Sequence, residues 1–293
     1  MKKVSLLILV TLGIISCNTS NEKADGYGNF EATEITVSSE ATGKIEFLQV
    51  QEGTILEAQT QVGLIDTVQL YLTKQQLIAS KSTVSSKSAN VLSQKSVLAE
   101  QLKTVQIEKN RIRDMYAENA ATKRQVDEID GKVKVIEAQI QGIGTQNAPI
   151  INDLKSIDVQ MQKINDQIKK SKIINPIKGT VLTKYTEPGE ITTYGKPLYK
   201  IADLSEMSLR VFVSGTQLTQ LKIGQEVSVK IDGAAEMNSY KGTISWIASQ
   251  AEFTPKIIQT KEERVNLVYA VKVKVKNDGS LKIGMPAEMW IKQ

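Results

Sequence analysis

Histidine is absent from the 293-residue sequence, cysteine occurs once, and aromatic residues make up only 5% of the chain. These shortages exclude histidine-based acid–base catalysis, metal clusters built from histidine or cysteine, and any intrachain disulfide. A glycine-rich phosphate loop and a Gly-x-Ser-x-Gly nucleophile motif are also missing from the sequence. We therefore expect no enzymatic activity, no catalytic or metal site and no bound cofactor.

The amino terminus has the features of an export signal. Lys2 and Lys3 precede an apolar stretch, residues 4–15, that is too short to span a bilayer as a mature helix. The stretch is followed by Ser16 and Cys17 and resembles a bacterial lipobox, in which the cysteine is acylated and becomes the first mature residue. An ordinary signal with a chance cysteine is the alternative, but the position of the only thiol favours lipidation.

We assign residues 1–16 to the signal peptide and the polar, glycine-containing residues 17–28 to a flexible tether. Two or three acyl chains on Cys17 would hold this tether stably at a membrane. Cleavage removes two lysines, so the mature chain has 35 basic residues (37 − 2) against 32 acidic ones, a net charge of +3. This balance is too mild to indicate a nucleic-acid partner.

Residues 67–172 have the periodicity of a long helical hairpin. One apolar series with a seven-residue spacing runs through the first arm, and two such series, three residues apart, run through the second. The pattern predicts two helices in coiled-coil geometry, antiparallel because the link around residues 117–121 is short. With about 50 residues in each arm, the hairpin projects about 75 Å at ~1.5 Å per residue. The series are Leu70, Leu77, Val84, Val91, Leu98, Val105 and Ile112, then Val126, Val133, Ile140, Leu154, Met161 and Ile168 with Ile129, Ile136, Ile143, Ile150, Ile157 and Ile164.

Polar residues interrupt both arms of the predicted hairpin. Asn147 falls at a seam position, where we interpret it as a polar core residue that sets the register of the helices. Pro149, close to Gly142 and Gly144, is expected to kink or briefly break the second arm. Four lysines fall in the weaker seam of the first arm, where their stems can cover the groove while their ammonium groups stay in water. These are Lys74, Lys81, Lys95 and Lys109.

Strand-and-turn patterns flank the helices on both sides. Short β-branched runs separated by glycines occupy residues 29–66 and return after residue 172. Alternating apolar residues, with turn signals at 222–224, 277–279 and Gly284, predict a small β-barrel over residues 204–293. The alternating residues are Val211, Val213, Val227, Val229, Ile231, Tyr269, Val271, Val273 and Val275.

An internal repeat relates the two flanks at an offset of 136 residues. Segment 43–65 matches segment 179–201, from the Gly-x-Ile or Gly-x-Val start to the final isoleucine. Each copy has about 25 residues and is too small to bury a core alone. We therefore expect the two copies to face each other in one sandwich, with the hairpin inserted between them.

Two segments of the chain support a family resemblance. They are GKIEFLQVQEGTILEAQTQVGLID and NPIKGTVLTKYTEPGEITTYGKPLYKIADL. They resemble the two halves of a biotinyl/lipoyl-type domain, which in carrier proteins meet at a turn that bears the modified lysine. Here the hairpin replaces that turn, so the resemblance implies no lipoyl or biotin attachment. A split domain followed by a β-barrel is similar to the membrane fusion protein family of periplasmic adaptors (HlyD-like), over roughly residues 29–293.

The resemblance implies an elongated, multi-module α+β fold. An N-terminal strand and the first lipoyl half would occupy residues 29–66, and the hairpin would occupy residues 67–172. The second lipoyl half would occupy 173–203, and the β-barrel 204–293. The protein would be periplasmic in a Gram-negative bacterium, with its lipid most simply in the inner membrane, and would assemble into a ring, expected to be a hexamer.

Family members that dock onto a TolC-like outer-membrane channel have an arginine, a leucine four residues later and a serine seven residues after that. Arg111, Met115 and Thr122 have this spacing, with Met and Thr as conservative departures. The resemblance implies that they present a cation, an apolar side chain and a hydroxyl to a helical partner. The alternative is that Arg111 is an ordinary solvated residue and that Met115 packs in the bend.

The carboxyl-terminal segment from residue 242 onwards resembles the barrel of adaptors that serve ABC exporters. Little sequence follows Met285 and Pro286 for the further domain of RND-pump adaptors, which favours an inner-membrane ABC transporter as partner. An RND-pump adaptor and a structural coiled-coil lipoprotein remain the alternatives. Residues 262–264 (Glu-Glu-Arg) are interpreted as a solvated loop at the barrel entry.

Overall fold

The computed structural model describes residues 24–233, 236–253 and 267–291. The predicted signal peptide, Cys17 and the charged residues 262–264 lie outside the described residues. In chain order the elements are β1 (Gly26–Glu31), β2 (Glu34–Ser38), β3 (Gly43–Leu48), β4 (Ile55–Leu56), β5 (Gln61–Ile65), α1 (Val68–Ala117), α2 (Lys123–Lys170), β6 (Lys172–Ile174), β7 (Gly179–Lys184), β8 (Ile191–Thr192), β9 (Pro197–Ala202), β10 (Glu206–Ser214), α3 (Gly215–Leu218), β11 (Glu226–Ile231), β12 (Asn238–Ile247), β13 (Glu252–Phe253), β14 (Leu267–Lys276) and β15 (Pro286–Ile291).

Helices α1 and α2 form the predicted hairpin. Both seven-residue series of α2 are buried or half-buried, and so is the apolar series of α1, because these residues line the seam between the helices. The two helices run from Val68 to Lys170, with Thr67 at the N-cap position of α1 and Lys172 already in β6. Helix α2 continues without interruption through Pro149, so of the two expected outcomes the break does not occur, and the kink stays a prediction.

Strands β2–β9 form a sandwich of two four-stranded sheets within the described part of the chain. Their orders are β2-β9-β7-β4 and β6-β5-β3-β8. Adding 136 to each residue number of β3, β4 and β5 gives residues of β7, β8 and β9, and this operation exchanges the two sheets. Each sheet also has a register shift at the same place, after Ile45 in one and after Val181 in the other. The structure therefore confirms that the sequence repeat builds one sandwich from two copies.

Each copy contributes its side chains to a common core and its strands to both sheets. Strand β5 of the first copy pairs with β6 of the second, and β4 pairs with β7. The hairpin leaves from the end of β5 and returns at the start of β6, where the Ile65 N–H donates to the Ser171 carbonyl at 2.9 Å. The buried core consists of Ile45, Leu48, Val50, Val62, Ile65, Ile173, Val181, Leu198, Tyr199 and Ile201.

The strands after the sandwich close a barrel. Among the described residues its order is β10-β1-β15-β11-β12-β14, and pairing of β14 with β10 completes the ring. The valines of the predicted alternating pattern are buried inside it, as expected. Its core consists of Phe30, Met207, Leu209, Val211, Val213, Leu221, Val227, Val229, Ile231, Ile244, Val271, Val273, Val275, Leu281, Ala287 and Met289.

Strand β1 corrects the predicted end of the tether. Residues 26–28, assigned to the flexible segment 17–28, lie in this strand between β10 and β15. Gly28 resembled a linker residue in the sequence, but a Cβ at this position would overlap the carbonyl oxygen of Arg210. The glycine is therefore needed for close strand packing and does not indicate flexibility.

Candidate functional site: the tip of the helical hairpin

The link at the tip begins with a Schellman motif at the end of α1. The Ala120 N–H donates to the Met115 carbonyl at 2.7 Å, and the Asn119 N–H donates to the Tyr116 carbonyl at 3.1 Å. Asn119 has a φ of 59°, a left-handed conformation that asparagine tolerates better than most residues. The chain thus turns sharply after Ala117, as the short predicted link requires.

Thr122 begins the return helix as its N-cap. Its Oγ1 accepts from the Gln125 N–H at 3.3 Å, and the Gln125 Oε1 accepts from the Thr122 N–H at 2.7 Å. The Thr122 hydroxyl also donates to Gln125 Oε1 at 2.9 Å. This capping box satisfies donors that the first turn of α2 leaves free. The hydroxyl predicted to face a partner therefore has a structural task in the isolated chain, while Thr122 remains exposed.

Arg111 and Met115 lie on the same face of α1, one helical turn apart. The Arg111 side chain is 68% exposed and pairs with Glu108 at 3.2 Å. Met115 is 40% exposed and Tyr116, beside it, 44%. Two exposed apolar side chains thus accompany the cation at the tip, and the sequence motif identified only the first of them. Tyr116 was missed because the family spacing does not include its position.

An ionic cluster below the tip joins the two helices. Asp130 on α2 accepts from Lys109 Nζ at 2.9 Å and from Arg113 Nη2 at 3.0 Å, and both cations are on α1. The hydrogen bonds from Lys109 and then Arg113 lower the pKa of the Asp130 carboxyl below its usual range. The cluster fixes the register of the last turns that support the tip. Sequence reasoning missed it because the three residues meet only when the register across the link is known.

Two further polar contacts cross the seam nearer the sandwich. The Ser88 hydroxyl, which is buried, donates to the Asn147 Oδ1 at 2.8 Å, so Asn147 is confirmed as a polar seam residue. Lys81 Nζ lies 2.6 Å from Asp158 Oδ1 on α2. Of the four seam lysines, Lys81 and Lys109 thus pair with acidic residues of α2, while their side chains remain 43% and 24% exposed.

No family model matches the chain. A UPF0194 membrane protein of Yersinia pseudotuberculosis serotype O:3 (strain YPIII) is 34% identical over 122 residues, which is 41% of this chain and 37% of the relative. A UPF0194 membrane protein of Yersinia enterocolitica serotype O:8 is 36% identical over 115 residues, covering 39% and 35% of the two chains. The match thus spans little more than a third of these curated relatives.

Solved structures match over most of the chain. The crystal structure of MacA from Actinobacillus actinomycetemcomitans has a TM-score of 0.54, with 19% identity over 90% of this chain and 76% of that one. The membrane fusion protein Spr0693 from Streptococcus pneumoniae R6 has a TM-score of 0.50, with 16% identity over 91% and 97% of the two chains. The chain has the membrane fusion protein fold. Each match covers at least nine tenths of this chain and therefore extends into the helical hairpin.

Within the described ranges, neither long helix is apolar enough over a sufficient length to cross a bilayer.

Proposed function

We propose that the protein is the periplasmic adaptor of a tripartite export or efflux system, linking an inner-membrane transporter to a TolC-like outer-membrane channel. One observation supports this most strongly: a long helical hairpin separates the two symmetric copies that together build one small sandwich, and a closed barrel follows the sandwich. At ~1.5 Å per residue the 50-residue α1 reaches about 75 Å beyond the sandwich. Such a projection suits a part that contacts something far from its own anchor.

In this proposal the hairpin tip docks onto the outer-membrane channel. Arg111 supplies a charge-assisted donor, Met115 an apolar contact, and Thr122 a hydroxyl that must leave or share its bond with Gln125. Tyr116 adds an exposed aromatic side chain beside Met115. The Asp130 cluster would hold these side chains in place, so that docking does not have to order the tip.

The opposite end is proposed to be held at a membrane by acyl chains on Cys17, most simply at the inner membrane of a Gram-negative bacterium. The transporter is proposed to be of the ABC type, because the carboxyl-terminal strands resemble the barrels of ABC-exporter adaptors. Copies of the chain would form a ring, with a hexamer as the expected number. In such a ring, many weak tip contacts act together and make docking avid but reversible.

We also infer that the sandwich is a lipoyl-type domain divided by the hairpin, without attached lipoate or biotin. The hairpin occupies the position between β5 and β6 where a carrier would have its lysine-bearing turn. The protein would then act as a scaffold and not as an enzyme. Intact-mass measurement of the mature chain tests this: acyl chains account for the added mass, and a lipoyl or biotinyl increment contradicts the inference.

Site-specific photocross-linking tests the docking proposal. A photoreactive side chain at Met115 is expected to capture an outer-membrane channel protein in cells. The same side chain at Leu72, which is 54% exposed in the first turns of α1, serves as the matched control and should not capture it. Equal capture at both positions, or none at Met115, contradicts docking through the tip.

A charge reversal tests the role of Arg111 itself. Arg111→Asp is expected to lower recovery of the channel in pull-down by about tenfold, the equivalent of ~1.4 kcal/mol. Lys103→Asp is the matched control, because Lys103 is also an exposed cation paired with an acid three residues before it. Similar recovery with the two variants at equal protein levels contradicts the assignment of Arg111.

The identity of the inner-membrane protein that co-purifies with the chain separates the remaining candidates. An ATPase with a permease supports the ABC assignment, whereas a large proton-driven pump supports an RND adaptor. A structural coiled-coil lipoprotein would bring down neither. The heptad seam alone is compatible with that last candidate, but the sandwich built from two copies around the helices favours an adaptor.

A further inference from the structure

The middle of the hairpin has a band without charge. Residues 138–152 of α2 contain no acidic or basic residue, although charged residues make up 24% of the chain. The facing part of α1 is similar: residues 88–94 and 96–99 are uncharged, with Lys95 between them. Most of these positions are exposed, and exposed helix surface is normally rich in charge. Depletion of charge is typical of the core of a protein interface.

A groove lies on one flank of this band. It is shallow and open, has a volume of about 580 Å³, and is lined by Val97, Leu98, Gly142 and Ile143 together with the glutamines Gln94, Gln139 and Gln146. Val97 is 56% exposed. A Cβ on Gly142 would meet no atom within 4 Å, so nothing in this chain requires a glycine there. Gly131 and Gly144 have the same open space, so the groove and the missing charge, and not the glycine alone, mark this place.

The opposite flank has an apolar projection at nearly the same height. Leu92 lies two residues from Gln94 in the groove wall, and thus points about 200° away around α1. Leu92 and Ile151 are 52% and 37% exposed. Leu92 precedes Arg113 by 21 residues and Ile151 follows Asp130 by 21 residues. The two pairs therefore have equivalent heptad positions, with Leu92 and Ile151 three heptads nearer the sandwich. Because Arg113 and Asp130 contact each other across the seam, the same geometry places Leu92 beside Ile151.

We propose that Leu92 and Ile151 of one hairpin pack into the groove beside Gly142 of a second copy of this chain. The two surfaces lie on opposite flanks, so the contact is head-to-tail and closes into a ring when the rotation between copies permits it. This inference deepens the proposed function, because it names the hairpin surfaces that hold the proposed ring together. The absence of charge in the band then follows from its burial between copies.

Disulfide cross-linking of the full chain in membranes tests the contact. The chain with Leu92→Cys and Gly142→Cys together is expected to give, on oxidation, a ladder of covalent multimers on a non-reducing gel. Either substitution alone should give no more product than the parent chain with Cys17, because a head-to-tail contact does not bring equivalent residues together. Dimers from Leu92→Cys alone, or no ladder from the double variant, overturn the proposal.

Substitutions at the two surfaces give a second measurement. Gly142→Leu, which fills the groove, and Leu92→Glu, which charges the projection, are expected to reduce multimers captured by an amine cross-linker at least fivefold. Gly131→Leu and Leu72→Glu are matched controls, since Gly131 also has open space and Leu72 is 54% exposed. Equal effects of controls and test variants overturn the proposal.

The two proposals can fail separately. If the ladder is absent while Met115 still captures an outer-membrane channel, the hairpin contact is wrong and the adaptor function stands. If the ladder forms but neither a transporter nor a channel is recovered, the contact stands and the adaptor function is wrong.

Discussion

The two copies of the sandwich repeat have their turns and backbone hydrogen bonds at equivalent positions, 136 residues apart. The Gln59 N–H donates to the Asn175 carbonyl at 2.8 Å, and the equivalent Gly195 N–H donates to the Ser39 carbonyl at 2.8 Å. In the same way, the Gly53 N–H donates to the Val181 carbonyl of the second copy, and the equivalent Gly189 N–H donates to the Ile45 carbonyl of the first. Both glycines have a positive φ. The backbone constraints of the fold are therefore present twice.

The side chains at these equivalent positions differ. Ser39 of the first copy corresponds to Asn175 of the second, and Gly63 corresponds to Tyr199. The Asn175 amide donates to the carbonyls of Glu57 at 2.8 Å and Ile177 at 2.6 Å, and its oxygen accepts from the Tyr199 hydroxyl at 3.0 Å. Asn175 lies just after the point where the chain returns from the hairpin. Its hydrogen bond to Glu57 therefore joins the two sides of the inserted helices. The comparison indicates that the second copy holds the divided sandwich closed.

The largest effect is expected for Asn175→Ala. Loss of the amide leaves the Ile177 carbonyl and the buried Tyr199 hydroxyl without their partner, while the Glu57 carbonyl still accepts from the Thr60 hydroxyl. This loss should lower the free energy of unfolding of the sandwich by about 3–4 kcal/mol. Ser39→Ala is the counterpart and should cost about 1 kcal/mol, because the Ser39 hydroxyl bonds only to the nearby Ala41, donating to its carbonyl and accepting from its N–H. Hydrogen exchange of the strand amides measures both variants. Equal losses would show that the two copies contribute alike.

Gly179→Ala should have the next largest effect. A Cβ at Gly179 would lie 2.5 Å from the Ala202 carbonyl oxygen, so the backbone of β9 must move, at a cost of about 3 kcal/mol. At the equivalent Gly43 the nearest atom is a side-chain methyl of Ile65, 2.9 Å away, which can shift more easily. Gly43→Ala should therefore cost about 1–2 kcal/mol. Urea unfolding followed by circular dichroism compares the two, and a larger loss for Gly43→Ala contradicts this account.

Periodicity and repetition made the helices and the sandwich predictable, because each of these patterns recurs along the sequence. The seam around Asn147 and the pairing of the two copies followed from spacing alone. The roles of Gly28, Thr122 and Asp130 did not, because each depends on a neighbour distant in sequence or on cap geometry. Gly28 contacts a strand about 180 residues later, and no local pattern indicates such a contact.

The buried tyrosine gives the second copy a pH dependence that the first copy, with Gly63, lacks. Burial raises the pKa of Tyr199 to about 12, from about 10 in an unfolded chain. Because the folded chain favours the protonated tyrosine, the stability that Tyr199 contributes is complete below pH 10 and is lost as the pH rises towards 12. The loss at pH 12 should be about 2 kcal/mol.

Urea unfolding of the parent chain and Tyr199→Phe between pH 9 and pH 12 measures this difference. The variant is less stable at pH 9, because it lacks the bond to Asn175, but its free energy of unfolding should fall less steeply with pH. Tyr194→Phe, at a 78% exposed tyrosine, is the matched control and should keep the parental slope. Parallel curves for Tyr199→Phe and the parent chain contradict the prediction.

The smallest expected effect is a gain in stability at Gln59. Gln59 has a φ of 60°, a left-handed conformation that costs a residue with a Cβ about 1 kcal/mol, and its counterpart Gly195 has a φ of 82°. Gln59→Gly should therefore raise the free energy of unfolding by about 0.5–1 kcal/mol, and Gly195→Ala should lower it by about 1 kcal/mol. Thermal unfolding of both variants measures the pair. A loss of stability in Gln59→Gly would mean that the flexibility of the unfolded glycine outweighs the relieved strain, and the equivalence of the two turns would then be limited to their hydrogen bonds.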